Sequence, residues 1–515
     1  MAETGNSEAR NPYNPNLRRT MYQRMKLYDK LMTSNNNLDL KVPNHIVNPL
    51  EFVPFSNTTQ KSWMTVFSIW NTMIGSTVLA IPWGIDQAGL VMGSIVIVIV
   101  GFIACYTCHL IAKYSEAAGE ENIMELIGRM WGDKGRYLTL VMSCLVLLGA
   151  LMAFNVLLNS AFFNILEGLS IWISGSKFSD CSDCWDTFSS RYTPFILFGV
   201  LLVFLNFKDK RTYIKLNSGG IFFVLIITFF IIAVGIRALA INTFTTSGSN
   251  SIPDSDKKCS DNWNCLKHDR DVHLSLIEPG CLSFAGILSL SFFIHNCIAI
   301  ILKNNEKQEK NTRDLVLGYF AVGLSYFLIG ILGYLGFKGN GFPQGSIKQN
   351  ALDMFSADNV LAFIIRFVLF TQMMTVYPMV AYLVRAQLLG FFFNSDSPNR
   401  KIVFMYSLGV ASITTLIASV YPKVGSIAGV AGAICGLYFI YVIPVVLHAE
   451  YTKPEMVRRV LESPGGMRMA EKEEDMLNSV QQSPGARSKW KFSVGVHCLI
   501  CVFGLAVVVF QFVKV

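Results

Sequence analysis

The feature that most constrains this chain is a run of polar and small residues inside its first long apolar segment. That segment extends from about Trp63 to Trp83, and its middle reads Trp-Asn-Thr-Met-Ile-Gly-Ser-Thr at residues 70–77. A helix that crosses a bilayer must pair its backbone groups internally, so polar residues and a glycine at mid-depth are costly unless they line a cavity. A small-residue packing face is the alternative, but packing favours small residues spaced along one helix face, not a contiguous polar run before Pro82. The run therefore predicts a discontinuous helix of the kind that forms binding sites in secondary transporters.

Long apolar segments recur along the rest of the chain. Its 515 residues are 52% hydrophobic and only 15% charged, which is less charge than soluble domains carry. A bilayer-spanning helix needs about 20 predominantly apolar residues. The sequence predicts an all-α integral membrane protein with eleven transmembrane helices at residues 63–83, 89–113, 137–165, 193–207, 214–241, 280–303, 313–337, 359–389, 401–420, 425–447 and 493–513.

Lysine and arginine residues predict how these segments are oriented. Lys208, Lys210 and Arg211 follow the fourth segment, Lys303 follows the sixth, and the tail at residues 1–62 is also rich in both residue types. Short loops with an excess of positive charge face the cytosol. This rule predicts a cytosolic N-terminal tail, a charged cytosolic loop at residues 448–492, and an eleventh helix at residues 493–515 that ends on the opposite side.

Four of the twelve cysteines fall in loops that the charge rule places outside the cytosol. These are Cys181, Cys184, Cys259 and Cys265, in the loops after the third and fifth segments. Disulfides persist in such compartments, so these residues are candidates for pairing. Four cysteines allow three connectivities, and the sequence does not choose among them. A zinc site made from the same four residues is the alternative.

The sixth segment carries a second interruption, five segments after the first. Ser289, Ser291, His295 and Asn296 lie near its middle. Two interrupted helices in corresponding positions indicate an inverted repeat with a binding site at its interface. We therefore predict a 5+5 repeat with broken helices 1 and 6, and we expect His295 and Asn296 to contribute to the substrate site. His295 is either a satisfied helix histidine or a switch that responds to acidic pH.

The chemistry of the first interruption suits a zwitterion and a cation. Freed backbone N–H groups could bind a carboxylate, and freed carbonyl groups could bind an ammonium or Na⁺. In the eighth segment, Thr371 and Thr375 could complete a sodium shell with their hydroxyls, or they could hydrogen-bond carbonyls of their own helix beside Pro378. Arg366 lies inside the same segment, where an arginine faces a cavity, pairs with carboxylates or carbonyls, or extends toward the surface.

No constellation typical of an enzyme is present in the sequence. There is no phosphate loop, no H-E-x-x-H and no G-x-S-x-G in a strand context. Cys181-x-x-Cys184 lacks the surrounding strand and helix pattern of a redox fold. The sequence therefore predicts a protein that is not an enzyme and that uses no cofactor, with Na⁺ as a coupling ion.

Three long stretches resemble the solute carrier 38 family of amino-acid transporters. They are WNTMIGSTVLAIPWGIDQAGL at 70–90, FFIHNCIAIILKNNEKQEKNTRDL at 292–315 and QMMTVYPMVAYLVRAQLLG at 372–390. The resemblance covers about residues 63–447 and the last apolar segment. It implies a LeuT-like fold of the APC superfamily, with eleven helices and a transporter core at residues 63–447.

The resemblance also implies where ligands bind. The amino-acid backbone is expected to contact the first interruption at Thr72, Met73, Gly75, Ser76 and Thr77. Sodium is expected near Asn71 and Met73, with hydroxyls of the eighth segment at Thr371 and Thr375. Ser76 replaces the threonine of the family pattern, which leaves the preference for arginine open.

The N-terminal tail is similar to a family segment that docks on the Ragulator–Rag GTPase complex. The similarity consists of Tyr28-Asp29-Lys30-Leu31, followed by Pro43, His45 and Pro49. Tyr28-x-x-Leu31 is also a pattern that sorting adaptors recognise. The resemblance implies a lysosomal or late endosomal membrane protein that signals lumenal arginine to mTORC1.

Two functions from different classes follow from these observations. The first is a lysosomal amino-acid transporter and arginine sensor whose substrates are arginine, leucine, glutamine and other neutral amino acids. The alternative is a plain sodium- or proton-coupled neutral amino-acid carrier whose tail serves only in sorting. A third hypothesis is a receptor that keeps the transporter fold but transports no solute.

Overall fold

A computed structural model of the chain describes residues 61–120, 122–175, 191–206, 220–241, 243–245, 271–339, 347–393, 400–452 and 486–513. These residues are almost entirely helical. The first half contains α1 (Ser62–Met73), a 3₁₀ turn (Ser76–Ala80), α2 (Ile81–Ala88), α3 (Leu90–Ala118), α4 (Ile123–Ser174), α5 (Thr193–Leu205) and α6 (Gly220–Ile241). A short parallel ladder, β1 (Thr243–Thr245) with β2 (Asp271–His273), pairs Thr243 with Asp271.

The second half follows the same pattern of long apolar helices with one interruption. It contains α7 (Cys281–Ser291), α8 (Ile298–Lys303), a 3₁₀ turn (Gln308–Lys310), α9 (Asn311–Gly339), a 3₁₀ turn (Ala351–Met354), α10 (Val360–Phe393) and α11 (Arg400–Val420). The last elements are α12 (Val424–Gly436), a π-helical stretch (Leu437–Val442), α13 (Ile443–Tyr451) and α14 (Ala486–Val513).

Length and composition show which described helices could cross a membrane. Eight are long and apolar enough, or nine if α1 and the residues Thr77–Ala88, which are bent by 57° at a break, form one span. Helices α5 and α7 are apolar but shorter. Large apolar side chains point outward along these helices, among them Phe102, Phe229 and Phe320, each about two-thirds exposed or more. Such a surface suits lipid, and the chain is a multi-pass membrane protein.

Two glycines allow features that a larger residue would prevent. Gly132 has a non-helical φ of 64° and kinks the long helix α4. The residues before the kink therefore run in a different direction from those after it. Gly432 on α12 lies so close to α7 that a Cβ atom there would come within 2.1 Å of the Gly286 carbonyl oxygen. The two helices therefore approach at backbone distance, as small residues permit in membrane proteins.

The described helices differ from the predicted segments mainly at their ends. Helix α3 continues to Ala118 and α10 to Phe393, each several residues beyond the apolar run. Helix α13 continues to Tyr451 and α14 begins at Ala486, so both extend into the predicted loop at 448–492. These helices extend beyond the predicted apolar segments because polar residues can continue a helix in water outside the bilayer. The tail candidates Tyr28, Leu31, Pro43, His45 and Pro49 and the loop cysteines Cys181, Cys184, Cys259 and Cys265 lie outside the described residues.

Candidate functional site

The backbone leaves the helical path within the polar run of the first segment. Helix α1 ends at Met73, and Ile74 is extended with φ of −74° and ψ of 104°. Gly75 is also extended, with φ of −132° and ψ of −155°, before the 3₁₀ turn begins at Ser76. The last carbonyls of α1 and the first N–H groups of the turn therefore have no partner within their own helices. Across the break, the Ile74 N–H donates to the Trp70 carbonyl at 3.0 Å and the Val78 N–H donates to the Gly75 carbonyl at 3.3 Å.

A second interruption separates α7 from α8. Residues 292–297 form turns between Ser291 and Ile298. His295 in this stretch is fully buried, and its Nε2 lies 3.0 Å from the Thr107 hydroxyl. The same hydroxyl lies 2.9 Å from the Ile103 carbonyl, and the tautomer of His295 decides which of the two side chains donates to the other. The Nδ1 atom of His295 is buried and has no hydrogen-bond partner among the described residues.

Tyr326 of α9 joins the two interruptions. Its hydroxyl lies 2.7 Å from the carbonyl oxygen of Met73, the last residue of α1, and 3.0 Å from that of Ser291, the last residue of α7. The Thr77 side chain lies close enough to interact with the same hydroxyl. A hydroxyl carries one proton, so it can donate fully to only one carbonyl at a time. Two helix C-termini, each carrying partial negative charge, thus converge on a single donor, which creates an environment that favours a cation.

A small cavity lies on another side of the same break. Gly75 borders it, and a Cβ atom built on Gly75 would meet nothing within 4 Å. Elements α6 and α10 supply the opposite wall. The residues that line the cavity are Gly75, Val78, Leu79, Val224, Ile227, Leu369 and Gln372. Apart from the Gly75 backbone, the wall is aliphatic, with one primary amide.

The predicted substrate contacts occupy different surroundings. Met73 is buried, and its carbonyl faces Tyr326. Gly75 borders the cavity, and Ser76 and Thr77 open the 3₁₀ turn. Thr72, in contrast, is exposed, and its hydroxyl donates to the Ser68 carbonyl at 2.7 Å. Asn296 is half-buried. The structure thus brings Met73, Thr77 and the end of α7 together, and it turns the Thr72 hydroxyl to its own helix.

The predicted sodium ligands of α10 bond within their own helix. The Thr371 hydroxyl donates to the Phe367 carbonyl at 2.9 Å, and that of Thr375 donates to the Gln372 carbonyl at 2.7 Å. Asn71 is exposed on the last turn of α1. No hydrogen bond within the described ranges joins Asn71 or Met73 to Thr371 or Thr375. A donating hydroxyl keeps oxygen lone pairs, so both threonines still have the chemistry of a hard-cation ligand.

The segment at residues 347–356 bridges several helices. The Ile347 N–H donates to the Asp86 carboxylate at 2.9 Å, and the Gly425 and Ser426 N–H groups donate to the Gln349 side-chain oxygen at 3.0 and 3.2 Å. The Asp353 carboxylate accepts from Ser160 at 2.6 Å. Asn350 and Asn164 donate to the same carboxylate oxygen at 2.9 and 3.3 Å. This segment therefore connects α2, α4 and α12.

Burial shapes the electrostatics of this segment. Burial raises the pKa of the Asp353 carboxyl above its ordinary value, although the hydrogen bond from Ser160 and the charge of Arg366 act in the opposite direction. The Arg366 side chain is almost fully buried. Its guanidinium donates to the carbonyls of Leu352, Phe355 and Ser356 at 2.9, 2.6 and 3.1 Å. Arg366 thus binds carbonyls of residues 352–356, and none of its hydrogen bonds reaches the break.

Sequence reasoning did not single out Tyr326 or Asp353, and it gave Gln372 no role. Tyr326 lies in an apolar helix that also contains Tyr319 and Tyr334, so nothing local marks it. Asp353 lies in a loop, where a carboxylate is unremarkable until its burial is known. A polar amide at mid-depth, such as Gln372, is the one signal that could have been used.

Comparison with known proteins gives consistent results. A family model described as transmembrane amino acid transporter protein matches residues 58–461. "Neutral amino acid transporter 9" of Rattus norvegicus is 32% identical over 432 residues, which cover 75% of this chain and 73% of the relative. The protein of the same name in Danio rerio is 29% identical and covers 82% and 84%.

A more distant relative and a solved structure show a weaker similarity. "Sodium-coupled neutral amino acid transporter 9 homolog" of Caenorhabditis elegans is 27% identical over 491 residues, which cover 84% of this chain and 75% of the relative. A solved structure described as the inward-facing conformation of Mhp1 covers 93% of both chains at 12% identity, with a TM-score of 0.47.

Proposed function

Because the chain belongs to the transmembrane amino acid transporter family, we propose that it is a sodium-coupled carrier that binds its substrate at the break after α1. The observation that carries this proposal is the hydroxyl of Tyr326, which the carbonyls of Met73 and Ser291 share. The ends of two interrupted helices supply more acceptors there than the protein supplies protons. An α-ammonium group has three donors and a positive charge, which this arrangement lacks.

The break offers complementary groups for both ends of a zwitterion. The carbonyls of Met73 and Ser291 receive the ammonium group. The N–H groups at the start of the 3₁₀ turn, at Ser76 and Thr77, receive the carboxylate. His295 and Asn296 contribute from the second interruption, and the Thr72 hydroxyl does so once it leaves the Ser68 carbonyl. This assignment gives binding without an ionic side chain, as backbone-lined transporter sites do.

Sodium binds in this proposal between the break and α10. Asn71 and Met73 contribute oxygens from α1, and Thr371 and Thr375 contribute hydroxyl oxygens from α10. Relatives named as sodium-coupled support the choice of ion. Hydroxyl and carbonyl oxygens are the ligands that hard cations take. Binding of sodium to α1 and α10 together would hold the two elements in the arrangement that the substrate recognises, which couples ion and solute.

We extend the proposal to the whole architecture. Eleven spans result if α1 with α2, α7 with α8, and the short helix α5 each cross the bilayer. Two repeats of five, with breaks in the first and sixth spans, form a LeuT-like inverted repeat that alternates access by rocking. The tail at residues 1–62 and the loop at 448–492 are cytosolic. The eleventh helix at 493–515 ends in the lumen, where Cys181, Cys184, Cys259 and Cys265 pair.

Uptake into proteoliposomes tests the transport proposal. Purified full-length protein is reconstituted, and each of the twenty amino acids is offered with and without a sodium gradient and a pH gradient. We expect accumulation of neutral amino acids that depends on sodium. Binding without flux under every gradient would indicate a receptor, and accumulation driven only by protons would remove sodium from the proposal.

A signalling role rests on the tail and is proposed separately. We propose that the protein lies in the lysosomal or late endosomal membrane and that substrate occupancy, arginine included, controls release of residues 1–62 to Ragulator and the Rag GTPases, and hence mTORC1. The sequence of the tail at Tyr28, Leu31, Pro43, His45 and Pro49 supports this. Occupancy can act on the tail only if it binds one transporter conformation better than another.

Capture of Ragulator and Rag GTPases by the full-length protein tests the proposed signalling role. We expect Tyr28→Ala to reduce capture at least tenfold and Tyr13→Ala, in the same tail, to leave it intact. Amino-acid uptake should be the same in both variants. If the unaltered protein captures neither partner, the signalling role is wrong, and the protein is a plain carrier whose tail serves only in sorting.

A further inference from the structure

A π-helical stretch at Leu437–Val442, the π stretch, lies between α12 and α13 within one apolar span at Val424–Tyr451. π-helical turns are rare and occur frequently at functional sites. Pro444 follows at the start of α13, and because proline has no N–H group, the Ile440 carbonyl lacks its α-helical donor. Residues 438–441 are all at least nine-tenths buried. The side chains of the π stretch therefore contact other helices and not lipid.

Tyr441 of the π stretch contacts α7 two residues before that helix ends. Its hydroxyl lies 2.8 Å from the Ser289 hydroxyl, and both residues are almost completely buried. The Ser289 hydroxyl donates to the Ala285 carbonyl of its own helix at 2.8 Å. Helix α12 leaves room for this contact at Gly436, where a Cβ atom would come within 2.9 Å of the Ser289 Cβ atom. The contact is therefore close-packed as well as hydrogen-bonded.

The end of α7 that the π stretch contacts is the end that faces the proposed substrate site. Ser291 lies two residues beyond Ser289, and its carbonyl lies 3.0 Å from the Tyr326 hydroxyl. The next carbonyl, that of Phe292, accepts from the Tyr319 hydroxyl at 3.2 Å. Two tyrosines of α9 thus hold consecutive carbonyls at this end, and the π stretch holds the helix just before them.

We propose that Tyr441 is a positioning residue of the substrate site, which fixes the Ser291 carbonyl through its hydrogen bond with Ser289. This inference rests on the proposed function, in which that carbonyl receives the α-ammonium group of the substrate. A carbonyl that binds a ligand must be held in place, because a hydrogen bond weakens steeply as its geometry departs from the optimum. Every amino acid carries an α-amino group, so the effect of Tyr441 does not depend on the side chain of the substrate.

Helix α14 packs against Tyr441. The Cys501 thiol lies 3.3 Å from the Tyr441 carbonyl, and the Phe503 ring packs against the Tyr441 ring with centroids 5.8 Å apart. A Cβ atom built on Gly504 would come within 2.5 Å of the Tyr441 ring. A methyl group at residue 504 would therefore displace this ring and disturb its contact with Ser289, although neither residue is itself changed.

Uptake into proteoliposomes tests the role of Tyr441, with radiolabelled L-glutamine and L-leucine as substrates. Tyr441→Phe keeps the ring but removes the hydroxyl. We expect KM to rise about fivefold for both amino acids, with kcat nearly unchanged, since about 1 kcal/mol is the typical contribution of one hydrogen bond. Tyr438→Phe is the matched control, because it removes a buried hydroxyl of the same π stretch that lies 2.7 Å from Thr139 of α4 instead. It should leave both KM values unchanged.

Two further comparisons test whether the effect passes through Ser289. Ser289→Ala should raise KM as much as Tyr441→Phe does, and the double variant should raise it no further, because both changes remove the same hydrogen bond. Gly504→Ala should also raise KM, because its methyl group displaces the Tyr441 ring. Gly495→Ala is its control on the same helix, since a Cβ atom there meets nothing within 4 Å.

The outcomes separate this inference from the proposed function. An unchanged KM in Tyr441→Phe, a rise for only one of the two amino acids, or an equal rise in Tyr438→Phe would overturn the inference. Additive effects of Tyr441→Phe and Ser289→Ala would do the same, and in all these cases the transport function stands. If Tyr441→Phe does not fold, Ser289→Ala and Gly504→Ala decide in its place. If the unaltered protein accumulates neither amino acid, the proposed function itself fails.

Discussion

The hydroxyl of Tyr326 lies 2.7 Å from the carbonyl oxygen of Met73, although 253 residues separate them in the chain. Met73 ends α1, and the same hydroxyl also lies 3.0 Å from the Ser291 carbonyl at the end of α7. Both helices therefore stop at one point in the protein, with their carbonyl ends directed at a single donor. This convergence relates the two interrupted segments more directly than their spacing in the sequence does.

Removing this hydroxyl tests the role of the convergence. Tyr326→Phe keeps the ring, which is fully buried, but it leaves both carbonyls without their donor. We expect KM for the transported amino acid to change about tenfold in either direction, which corresponds to about 1.4 kcal/mol, because the carbonyls lose a positioning contact. Tyr334→Phe is the matched control, since that tyrosine is buried on the same helix and its hydroxyl accepts from the Ser275 N–H instead. An unchanged KM in Tyr326→Phe would show that the Tyr326 hydroxyl does not contribute to the substrate site.

Filling the cavity from Gly75 tests whether the space is used. The backbone of Gly75 has a φ that other residues adopt, and a Cβ atom there meets nothing within 4 Å. We expect Gly75→Ala to fold and transport, and Gly75→Leu to fold but lose uptake at least tenfold, because its side chain occupies the cavity. Gly409→Leu, at an exposed position on α11, controls for the change of size. Normal uptake by Gly75→Leu would show that substrate does not use this cavity.

The buried carboxyl of Asp353 predicts a dependence of stability on pH. Burial raises its pKa above the ordinary value of 3.8, so the folded protein holds this proton more tightly than the unfolded chain does. The contribution of Asp353 to the free energy of unfolding therefore increases as pH falls through the raised pKa, and it decreases as pH rises. The same sign favours the docked segment 347–356 at acidic pH.

Comparison of Asp353→Asn with the unaltered protein isolates this contribution. We expect its melting temperature in detergent to vary less between pH 7 and pH 5 than that of the unaltered protein. Glu116→Gln, which changes an exposed carboxylate, should keep the original pH profile. If Asp353→Asn and Glu116→Gln have the same profile, burial of Asp353 does not contribute to the pH dependence.

Arg366 is predicted to be structural. Its guanidinium donates to three carbonyls of residues 352–356, and charge-assisted hydrogen bonds of this kind are individually strong. We expect Arg366→Gln to lower the free energy of unfolding by about 2–4 kcal/mol, as loss of a buried cationic donor does. Arg366→Lys should recover only part of this, because lysine lacks the planar fork. A melting temperature in Arg366→Gln equal to that of the unaltered protein would contradict this assignment.

Much of the helical architecture could be predicted because its determinants are local. The apolar runs predicted where α3, α6, α9, α11 and α14 lie, and the errors fall at helix ends, where polar residues such as those after residue 113 continue the helix into water. The polar run at 70–77 predicted a departure from helical geometry, and the backbone departs at Ile74 and Gly75. The β1–β2 ladder was not predicted, because strands of three residues carry too little pattern.

The candidate site was harder to predict from the sequence than the helices were. Residues near the breaks were named, but the hydroxyls of Thr72, Thr371 and Thr375 all bond carbonyls of their own helices. Tyr326, which faces the break from another helix, has tyrosine neighbours on its own helix, and nothing local distinguishes it from them. Whether a side chain faces lipid, a neighbouring helix or a cavity depends on the rotation of its helix against the others, which hydropathy does not specify.

The sequence by itself determined that the chain enters a membrane as a series of long apolar helices, and it predicted an interruption in the first of them. These follow from the cost of unpaired backbone groups in hydrocarbon, which each segment meets alone. Only the tertiary structure decided that Met73 and Ser291 share the Tyr326 hydroxyl, that Arg366 holds the segment around Asp353, and that Gln372 borders a cavity. Such contacts join residues far apart in the chain and arise from the packing of helices against one another, which no single segment encodes.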